Sequence, residues 1–401
     1  MRFLQLTKKF PYPPLDGESL LVSSFNKILK KQVDKIDLLS FNTIKHYFDI
    51  SQFPEDQSHY NNIDEVFLDN SIKWYSALAN IISSTPYHIS RFIASDFKKT
   101  LKSILIQNQY DYILMESIFL VPYISLIRKY SKAKIILRAH NIEHEIWERI
   151  TNNTSNRIKK AYLQYLTKQL KRYELNHIGD ADIILTLTTR DLKKLRGYGI
   201  KTKAVVVPAG ITGQPNQIEF DFKTSLKIAF LGSLDWMPNT DGLTWFIKNV
   251  LPIAIKQHPD TVLNIAGRNT PKSIFKLESK NIKVHGEVPD SKNFLLTYPI
   301  MIVPLFAGGG MRLKILEALA LGRIVISTSI GIEGIDAIDQ YHVLIANTAE
   351  EFQEKLQFCI NNPIKLKRIS VNAQKLFSEK YETSRIVKSF LSNLCTKTNV
   401  S

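Results

Sequence analysis

Three consecutive glycines stand between an apolar run and a segment with the period of a helix. They are Gly308, Gly309 and Gly310, and they separate "IMIVPL" (300–305) from "MRLKILEALAL" (311–321). Glycine lets the backbone come close to a ligand, and a helix that follows turns its free N–H groups and the positive end of its dipole toward the same place. A strand, a glycine loop and a helix in this order predict a site for an anion such as a phosphate.

Two cations near the start of this predicted helix support the same interpretation. Arg312 and Lys314 fall in its first turn, where positive charge opposes the helix dipole. Both side chains can give charge-assisted hydrogen bonds to phosphate oxygens, and a bound anion offsets their unfavourable placement. The loop matches neither the Walker A pattern nor G-x-G-x-x-G, so the anion hypothesis depends on the residue types themselves.

One carboxylate follows a turn later. Glu317 lies three residues after Lys314 and on the same side of the projected helix, opposite a broad apolar face. A carboxylate can accept two hydrogen bonds at once and is the usual partner of ribose hydroxyls. Together with the phosphate site, Glu317 predicts a bound nucleotide. The alternative is an exposed surface pair of Lys314 and Glu317 after a flexible loop.

Short apolar runs alternate with longer helical segments along the chain, a pattern typical of parallel sheets covered by helices on both faces. The predicted strands are 2–6, 35–41, 111–116, 134–139, 182–187 and 203–207, and then 227–232, 261–267, 281–286, 300–305, 324–328 and 342–346. Residues 208–225, rich in Gly, Pro and polar residues, separate the two groups as a linker would. The sequence therefore predicts an α/β fold class with two Rossmann-like domains, whose ligands bind beyond the carboxyl ends of the strands.

Length, composition and charge limit the classes of protein. A chain of 401 residues exceeds what one hydrophobic core usually serves, and 44% apolar with 22% charged residues is typical of a folded globular protein. The net charge of +16 favours an anionic partner, but no nucleic-acid motif accompanies it. The two cysteines, Cys359 and Cys395, show neither metal nor disulfide spacing, which fits a reducing compartment. Without a signal peptide or an apolar run of about 18 residues, we expect a cytoplasmic protein.

A long segment of the second half resembles a known family. Residues 303–335, "VPLFAGGGMRLKILEALALGRIVISTSIGIEGI", are similar to the donor-binding region of family 4 of the retaining glycosyltransferases, which carries a Glu-x7-Glu motif. Other segments agree with the family in the same order along the chain: "FPYPPLDGES" (10–19), "LRAHNIEHEIW" (137–147), "ADIILTLTTRD" (181–191), "VVVPAGI" (205–211), "FLGSLDWMPNTDGLTWFIKNVLP" (230–252), "LNIAGRN" (263–269) and "VHGEVPD" (284–290). Together these segments span most of the chain.

The resemblance implies a GT-B fold, in which two Rossmann-like domains enclose the active site in a cleft. We expect an acceptor-binding domain over 1–207, the linker over 208–225, and a nucleotide-sugar-binding domain over 226–375. A final helical segment over 376–401 is long enough to reach back to the first domain.

The resemblance also implies roles for single residues of the second half. Glu317 corresponds to the second glutamate of the motif, which binds the nucleotide ribose in the family, whereas Gly309 stands where the first glutamate belongs. Ser233 and Thr240 or Asp241 stand near the places where many relatives carry an arginine and a lysine for the diphosphate. The cations left for that role are Arg312, Lys314 and Arg268, and the donor-binding candidates are Gly308, Gly309, Gly310, Glu317, Arg268 and Glu333.

Three candidates lie in the first half. His140 ends a predicted strand and matches the cleft histidine of the family, near the donor sugar; the alternative is an ordinary hydrogen-bonded histidine at a strand end. Asp16 and Gly17 follow the first strand, where the glycine would let the backbone come near the diphosphate or the acceptor. The alternative for this pair is a simple turn.

No metal site is expected. The histidines of "HNIEH" (140–144) lack the glutamate order of H-E-x-x-H, so we reject zinc. "DAD" (180–182) has the form of a manganese site, but it stands at the start of a strand, away from the edge where ligands bind.

A basic segment in the first half suggests a further partner. Residues 156–174 contain six cations and no acid before Glu174, and apolar residues recur opposite the cations at helical spacing. Such a helix could rest on an anionic membrane surface and reach a lipid-linked glycan. The alternative is a helix packed on the core with a solvated basic face.

Together, the resemblance and the residues predict a retaining glycosyltransferase that moves a sugar from a nucleoside diphosphate to a glycan or lipid-linked acceptor, in surface polysaccharide biosynthesis. His140, Arg312 and Lys314 would act at the reacting centre, and no metal or other cofactor would be needed. Two alternatives stay open: a sugar-nucleotide epimerase on the same fold, and a non-catalytic relative that binds nucleotides or glycans.

Overall fold

The computed structural model of the chain describes residues 1–14, 16–54, 58–71, 85–212 and 226–395. Contacts divide the chain into two compact units, Ala209–Ile386 and a first unit that combines Met1–Pro208 with the end of the chain from Val387. Most of the predicted linker, residues 213–225, and the last six residues of the predicted C-terminal segment lie outside the described residues.

The first unit is built on a parallel sheet with helices between its strands. Its strands are β1 (Arg2–Thr7), β2 (Lys35–Thr43), β3 (Asn62–Leu68), β4 (Tyr112–Met115), β5 (Lys134–Ala139), β6 (Ile183–Thr186) and β7 (Lys203–Val206). Its helices are α1 (Gly17–Leu29), α2 (Tyr87–Ser90), α3 (Ser95–Gln107), α4 (Ile124–Tyr130), α5 (Glu143–Asn152), α6 (Arg157–His177) and α7 (Thr189–Gly197). The strands lie in the order β3-β2-β1-β4-β5-β6-β7, so the direction of winding reverses between β1 and β4.

The second unit repeats this plan. Its strands are β8 (Lys227–Leu231), β9 (Val262–Ala266), β10 (Ile282–Gly286), β11 (Ile300–Val303), β12 (Ile324–Ser327) and β13 (Leu344–Ile345). Its helices are α8 (Met237–Asn249), α9 (Leu251–Gln257), α10 (Lys272–Phe275), α11 (Ser291–Thr297), α12 (Leu313–Ala320), α13 (Ala349–Asn361) and α14 (Pro363–Lys380), followed by α15 (Thr383–Cys395), which ends among the residues of the first unit. The order β10-β9-β8-β11-β12-β13 reverses between β8 and β11. The α/β fold with two parallel sheets is confirmed.

Strand β11 shows why these runs were recognisable in the sequence. All four of its side chains are buried, and they alternate between two cores: Ile300 and Ile302 face one, and Met301 and Val303 face the other. A parallel strand covered on both faces has no solvent-facing position, so it is apolar throughout. The same reasoning applies to the other central strands.

Strand β3 (Asn62–Leu68) was missed. It lies at the edge of the first sheet, and Val66 is the only one of its side chains that is buried. The segment "NIDEVFL" therefore carries two carboxylates and lacks a continuous apolar run. An edge strand pairs on one side only, and its outer positions tolerate charge.

Helix α12 is fixed at its C-terminal end. Its buried face packs into a core with α14, and Gly322 follows it with φ of 65°, a left-handed conformation that suits glycine. Two side chains of α14 then satisfy carbonyl groups that the helix leaves open: Ser370 Oγ donates to Gly322 O at 2.6 Å and Gln374 Nε2 donates to Ala320 O at 3.2 Å. The N-terminal end of α12 points toward the carboxyl edge of the sheet, where ligands of such folds bind.

Candidate functional site

The glycine loop follows β11, next to the point where the strand order of the second sheet reverses. Gly308 has φ of 112° and Gly310 has φ of 78°, both in the region that strongly favours glycine. A Cβ added at Gly308 would lie 2.8 Å from the indole ring of Trp236. Two of the three glycines are therefore required by the path of the backbone.

Arg312 braces this loop. It precedes α12 as its N-cap residue with extended backbone angles, so the prediction that it lies in the first helical turn is wrong by one residue. Its guanidinium donates to the carbonyl oxygens of Gly309 and Gly310 and lies 5.7 Å from the ring of Trp236. The side chain is buried against the loop and holds its conformation.

Lys314 reaches from α12 to the end of a different strand. Its Nζ donates to Leu231 O at 2.8 Å and to Asn239 Oδ1 at 3.0 Å, and it lies 5.1 Å from the ring of Phe230. Among the described residues no carboxylate forms an ion pair with this ammonium group. Burial lowers the pKa of Lys314 to about 7, and the neighbouring charge of Arg312 acts in the same direction. In the described part of the chain, Lys314 is therefore a buried amine without a counter-charge.

The ammonium of Lys314 lies at the loop where the sequence lacks its expected cations. Gly232 follows β8, and a Cβ added there would lie 2.9 Å from Lys314 Nζ. The loop is held closely: a Cβ on Gly267 would overlap Gly232 O at 1.9 Å, and Asn239 Nδ2 donates to Ser233 O at 2.8 Å. Lys314 therefore brings its charge to the loop after β8 from the helix after β11.

Glu317 has its own partner. Ser291 Oγ, at the start of α11, donates to Glu317 Oε1 at 2.7 Å, which places the carboxylate beside the loop that follows β10. Burial raises the pKa of Glu317, and the charge of Asp290 adds to this, while the Ser291 hydrogen bond opposes both. Because Lys314 and Glu317 are held by different groups, they do not form the exposed pair that the sequence left open.

Two further candidates lie at the same edge of the second sheet. Arg268 follows β9 and is half-buried, and its carbonyl oxygen accepts a hydrogen bond from Leu234 N at 2.9 Å. Glu333 is half-buried in the turn that follows β12. Their predicted contacts with a donor stay predictions.

His140 in the first unit is held by a carboxylate that the sequence analysis did not single out. The residue follows β5 and is 8% exposed, and its Nε2 lies 3.0 Å from Glu116 Oε2. Glu116 follows β4 and is fully buried, and Arg138 Nη1 donates to its two oxygens at 3.1 and 3.3 Å. The only signal in the sequence was a carboxylate directly after an apolar strand.

Asp16 and Gly17 form the start of α1, at the edge where the first sheet reverses. Asp16 caps the helix by accepting from Glu18 N and Ser19 N, and it also accepts from Lys9 Nζ at 2.5 Å. Apart from its chain neighbours and the backbone of its own helix, no described atom lies within 4 Å of a Cβ added at Gly17. The space beside this glycine is open, and its approach to a diphosphate or acceptor stays a prediction.

The turn after His140 is anchored by Glu174 of α6. Its carboxylate accepts from the backbone N–H groups of Glu143 and His144 at 2.9 and 3.0 Å, and from His144 Nδ1 at 2.7 Å. Burial raises the pKa of Glu143 to about 7, the nearby Lys8 opposes this, and the charge of Glu174 adds to it. Neither Glu143 nor Glu174 was predicted as a functional residue.

The second unit contains the part of the chain that matches a known family. Residues 225–362 match the family of glycosyl transferases group 1. Over 330 residues the chain is 26% identical to an uncharacterized 44.6 kDa protein in the cps region of Klebsiella pneumoniae, with 79% of this chain and 83% of that protein covered.

Solved structures resemble the whole chain. HepE of Anabaena in complex with UDP has a TM-score of 0.66 at 14% identity, with 99% of this chain and 100% of that chain covered. Sucrose-phosphate synthase of Thermosynechococcus elongatus has a TM-score of 0.69 at 13% identity, with 98% of each chain covered. At such identities the likeness shows the fold, and it confirms the predicted GT-B class. Within the part of the chain that the structure describes, no helix is both long and apolar enough to cross a membrane.

Proposed function

We propose that the chain, whose residues 225–362 match the glycosyl transferases group 1 family and whose fold is GT-B, is a retaining glycosyltransferase that uses a nucleoside-diphosphate sugar. The acceptor is a glycan or a lipid-linked glycan, and the product belongs to surface polysaccharide biosynthesis. The relative in the cps region supports this setting. UDP is the first nucleotide to test, because HepE was solved with UDP and with UDP-glucose.

The observation that carries the proposal is the placement of Lys314. Its ammonium lies at the strand reversal of the second sheet, beside the N-terminus of α12, with neutral hydrogen-bond acceptors as partners. A departing diphosphate would gain from this charge together with the free N–H groups of the helix. Arg312 would shape the loop that receives the phosphates, and Glu317 would accept from the ribose hydroxyls.

The chemistry that follows is electrostatic. The bond between the anomeric carbon and the diphosphate breaks, and the acceptor oxygen forms its bond to the same carbon on the same face. The enzyme stabilises the positive charge that develops on the sugar and the negative charge that develops on the departing diphosphate. In the proposed mechanism the leaving phosphate takes the proton of the acceptor hydroxyl, and His140 contacts the donor sugar. Lys314 and the N-terminus of α12 provide the positive charge that the departing diphosphate requires, so the proposal includes no metal.

A panel of nucleotide sugars tests the reaction. The protein is incubated with each sugar and a membrane extract, and nucleotide release and sugar incorporation are followed separately, with the anomeric configuration of the product determined by NMR. We expect release and incorporation with one UDP-sugar and retained configuration. An inverted product would contradict the mechanism, an epimerised nucleotide sugar would identify an epimerase, and no reaction with any donor would point to a binding protein.

Binding of UDP at pH 8 is expected to take up a proton. A lysine with a pKa of about 7 is mostly neutral at pH 8, and a bound diphosphate favours its charged form, so the pKa rises on binding. Calorimetry in HEPES and in Tris, whose ionisation enthalpies differ, should give different heats at pH 8. At pH 6 Lys314 is already mostly protonated, so it contributes little proton uptake on binding. Heats that do not depend on the buffer at pH 8 would contradict the role of Lys314.

We also propose that α6 contacts an anionic membrane surface, as a cytoplasmic protein bound to the inner face would. Leu163, Leu166 and Leu170 pack into the first unit, whereas Ile158 is 86% exposed between the exposed cations Arg157 and Lys159. An exposed apolar side chain among cations can enter the headgroup region while the cations contact anionic lipids.

Vesicle binding tests this surface. Replacing Arg157 and Lys159 with glutamine should weaken binding to vesicles that contain phosphatidylglycerol by roughly 30-fold, because each cation contributes about 1 kcal/mol. The matched control replaces Lys367 and Arg368, two exposed cations of α14, and should retain binding. Equal losses in both variants would show that net charge, not α6, governs the attraction.

A further inference from the structure

A buried polar cluster lies beneath His140 in the first unit. It consists of Gln5 on β1, Asn26 on α1, Tyr60, Glu116 after β4 and Arg138 on β5; Tyr60 is half-buried and the other four are buried. Strands β1, β4 and β5 are neighbours in the sheet, and β4 pairs with β5 so that Glu116 lies next to Arg138. Neighbouring strands thus bring together side chains that are far apart in sequence.

The donors around Glu116 all point at its carboxylate. Gln5 Nε2 donates at 2.5 Å, Arg138 Nη1 donates to both oxygens, and His140 Nε2 lies 3.0 Å from Oε2. The amide of Gln5 is oriented in turn, because its oxygen accepts from Asn26 Nδ2 at 2.6 Å and from Tyr60 OH at 3.0 Å. A carboxylate with these neighbours is ionised and acts only as an acceptor.

The state of His140 follows from this acceptor. If Glu116 only accepts, Nε2 of His140 must carry the hydrogen, and in the neutral ring Nδ1 then holds the lone pair. Nδ1 has no hydrogen-bond partner among the described residues. It is therefore the nitrogen that remains for a ligand.

We propose that Glu116 is a positioning residue for His140: it fixes the ring as the Nε2–H tautomer, so that Nδ1 is presented to a hydroxyl group of the donor sugar. The tautomer and orientation follow from the cluster alone, while the contact with the sugar rests on the proposed function. Arg138 completes the arrangement by keeping Glu116 charged, and it packs 4.1 Å from the ring of Phe25 on α1. Burial alone would raise the pKa of Glu116, but the charge of Arg138 and the contacts with His140 and Gln5 lower it.

The tautomer can be measured without any substrate. Long-range 1H–15N spectra of the full-length protein distinguish the two neutral forms of a histidine ring, and a His140→Gln variant identifies the signals of His140. We expect one Nε2–H form in the unmodified protein and a mixture in Glu116→Gln. An Nδ1–H form in the unmodified protein would overturn the proposal. So would an Nε2–H form that persists unchanged in Glu116→Gln.

Removing Glu116 alone leaves the buried Arg138 without its counter-charge, and that variant can fail to fold. The double variant Glu116→Gln with Arg138→Met removes both charges and keeps similar volumes, and thermal unfolding checks its fold. In this double variant we again expect a mixture of the two neutral forms of His140 in place of the single Nε2–H form. Unchanged signals from a folded double variant would overturn the proposal just as the single variant would.

Kinetics separate positioning from structural support. With the UDP-sugar that the panel identifies, Glu116→Gln should lower kcat on the order of tenfold, the scale of partners that orient an active group. In the His140→Gln background the same change should cost less than about twofold, because its effect passes through His140. Equal losses in both backgrounds would show a structural role and overturn the proposal. If His140→Gln itself keeps full activity, the proposed role of His140 in transfer fails, and the spectra still decide the role of Glu116.

Discussion

Replacing Lys314 with methionine is expected to lower kcat for sugar transfer by about 10²- to 10³-fold, the scale of removing one preorganised group from a developing charge. Lys314 is the only cation within α12, and its ammonium group reaches the end of β8 through Leu231 O and Asn239 Oδ1. Methionine keeps the length of the side chain and removes the charge. Steady-state kinetics with the identified donor and acceptor measures the loss.

Stability provides the control for Lys314. The pKa of Lys314 is about 7 in the folded protein, below its usual value of 10.5, because burial makes the charged form unfavourable. The unfolded chain therefore binds a proton more readily than the folded protein, and Lys314 lowers the free energy of unfolding as the pH falls below 10.5. Near pH 7 the methionine variant should therefore unfold at the same temperature or higher. A folded variant with normal kcat would show that the diphosphate is stabilised elsewhere, and a lower unfolding temperature would contradict the pKa that underlies the argument.

Replacing Glu317 with alanine is expected to weaken UDP binding by roughly 10- to 100-fold, the value of hydrogen bonds to a charged group. The carboxylate is half-buried and accepts from Ser291 Oγ through Oε1. Oε2 has no hydrogen-bond partner among the described residues, so it remains for a ribose hydroxyl. Isothermal titration calorimetry measures the affinity. An unchanged affinity would exclude Glu317 from the nucleotide site.

Two controls locate the Glu317 effect at the ribose. Ser291→Ala removes the protein partner of the carboxylate and should cost much less than Glu317→Ala. With 2′-deoxy-UDP the Glu317→Ala variant should lose less affinity than with UDP, because one of the hydroxyls that the carboxylate accepts from is missing. Identical losses for both nucleotides would place the effect outside the 2′-hydroxyl contact.

The fold was largely predictable because buried parallel strands and amphipathic helices leave strong local patterns. Strand β3 was missed because an edge strand does not need an apolar run, and Arg312 was assigned to a helix that begins one residue later because an extended N-cap has no distinctive sequence pattern. The glycine loop, Lys314 and Glu317 were visible because each is an unusual choice at its position.

The surroundings of these residues were not predictable. Whether Lys314 turns toward Glu317 or toward the end of β8 depends on which strands are neighbours in the sheet. The order of the strands cannot be read from a single sequence. Glu116 was overlooked for the same reason. Its partners Gln5, Arg138 and His140 lie 111, 22 and 24 residues away, and only strand pairing brings them together.

The close approach of Gly232 to Lys314 makes the position of the ammonium group depend on the absence of a side chain at position 232. A side chain at position 232 would meet Lys314 Nζ and the amide of Asn239, which are flexible ends that can move aside. Such a substitution would spare the fold but displace the ammonium group from the loop.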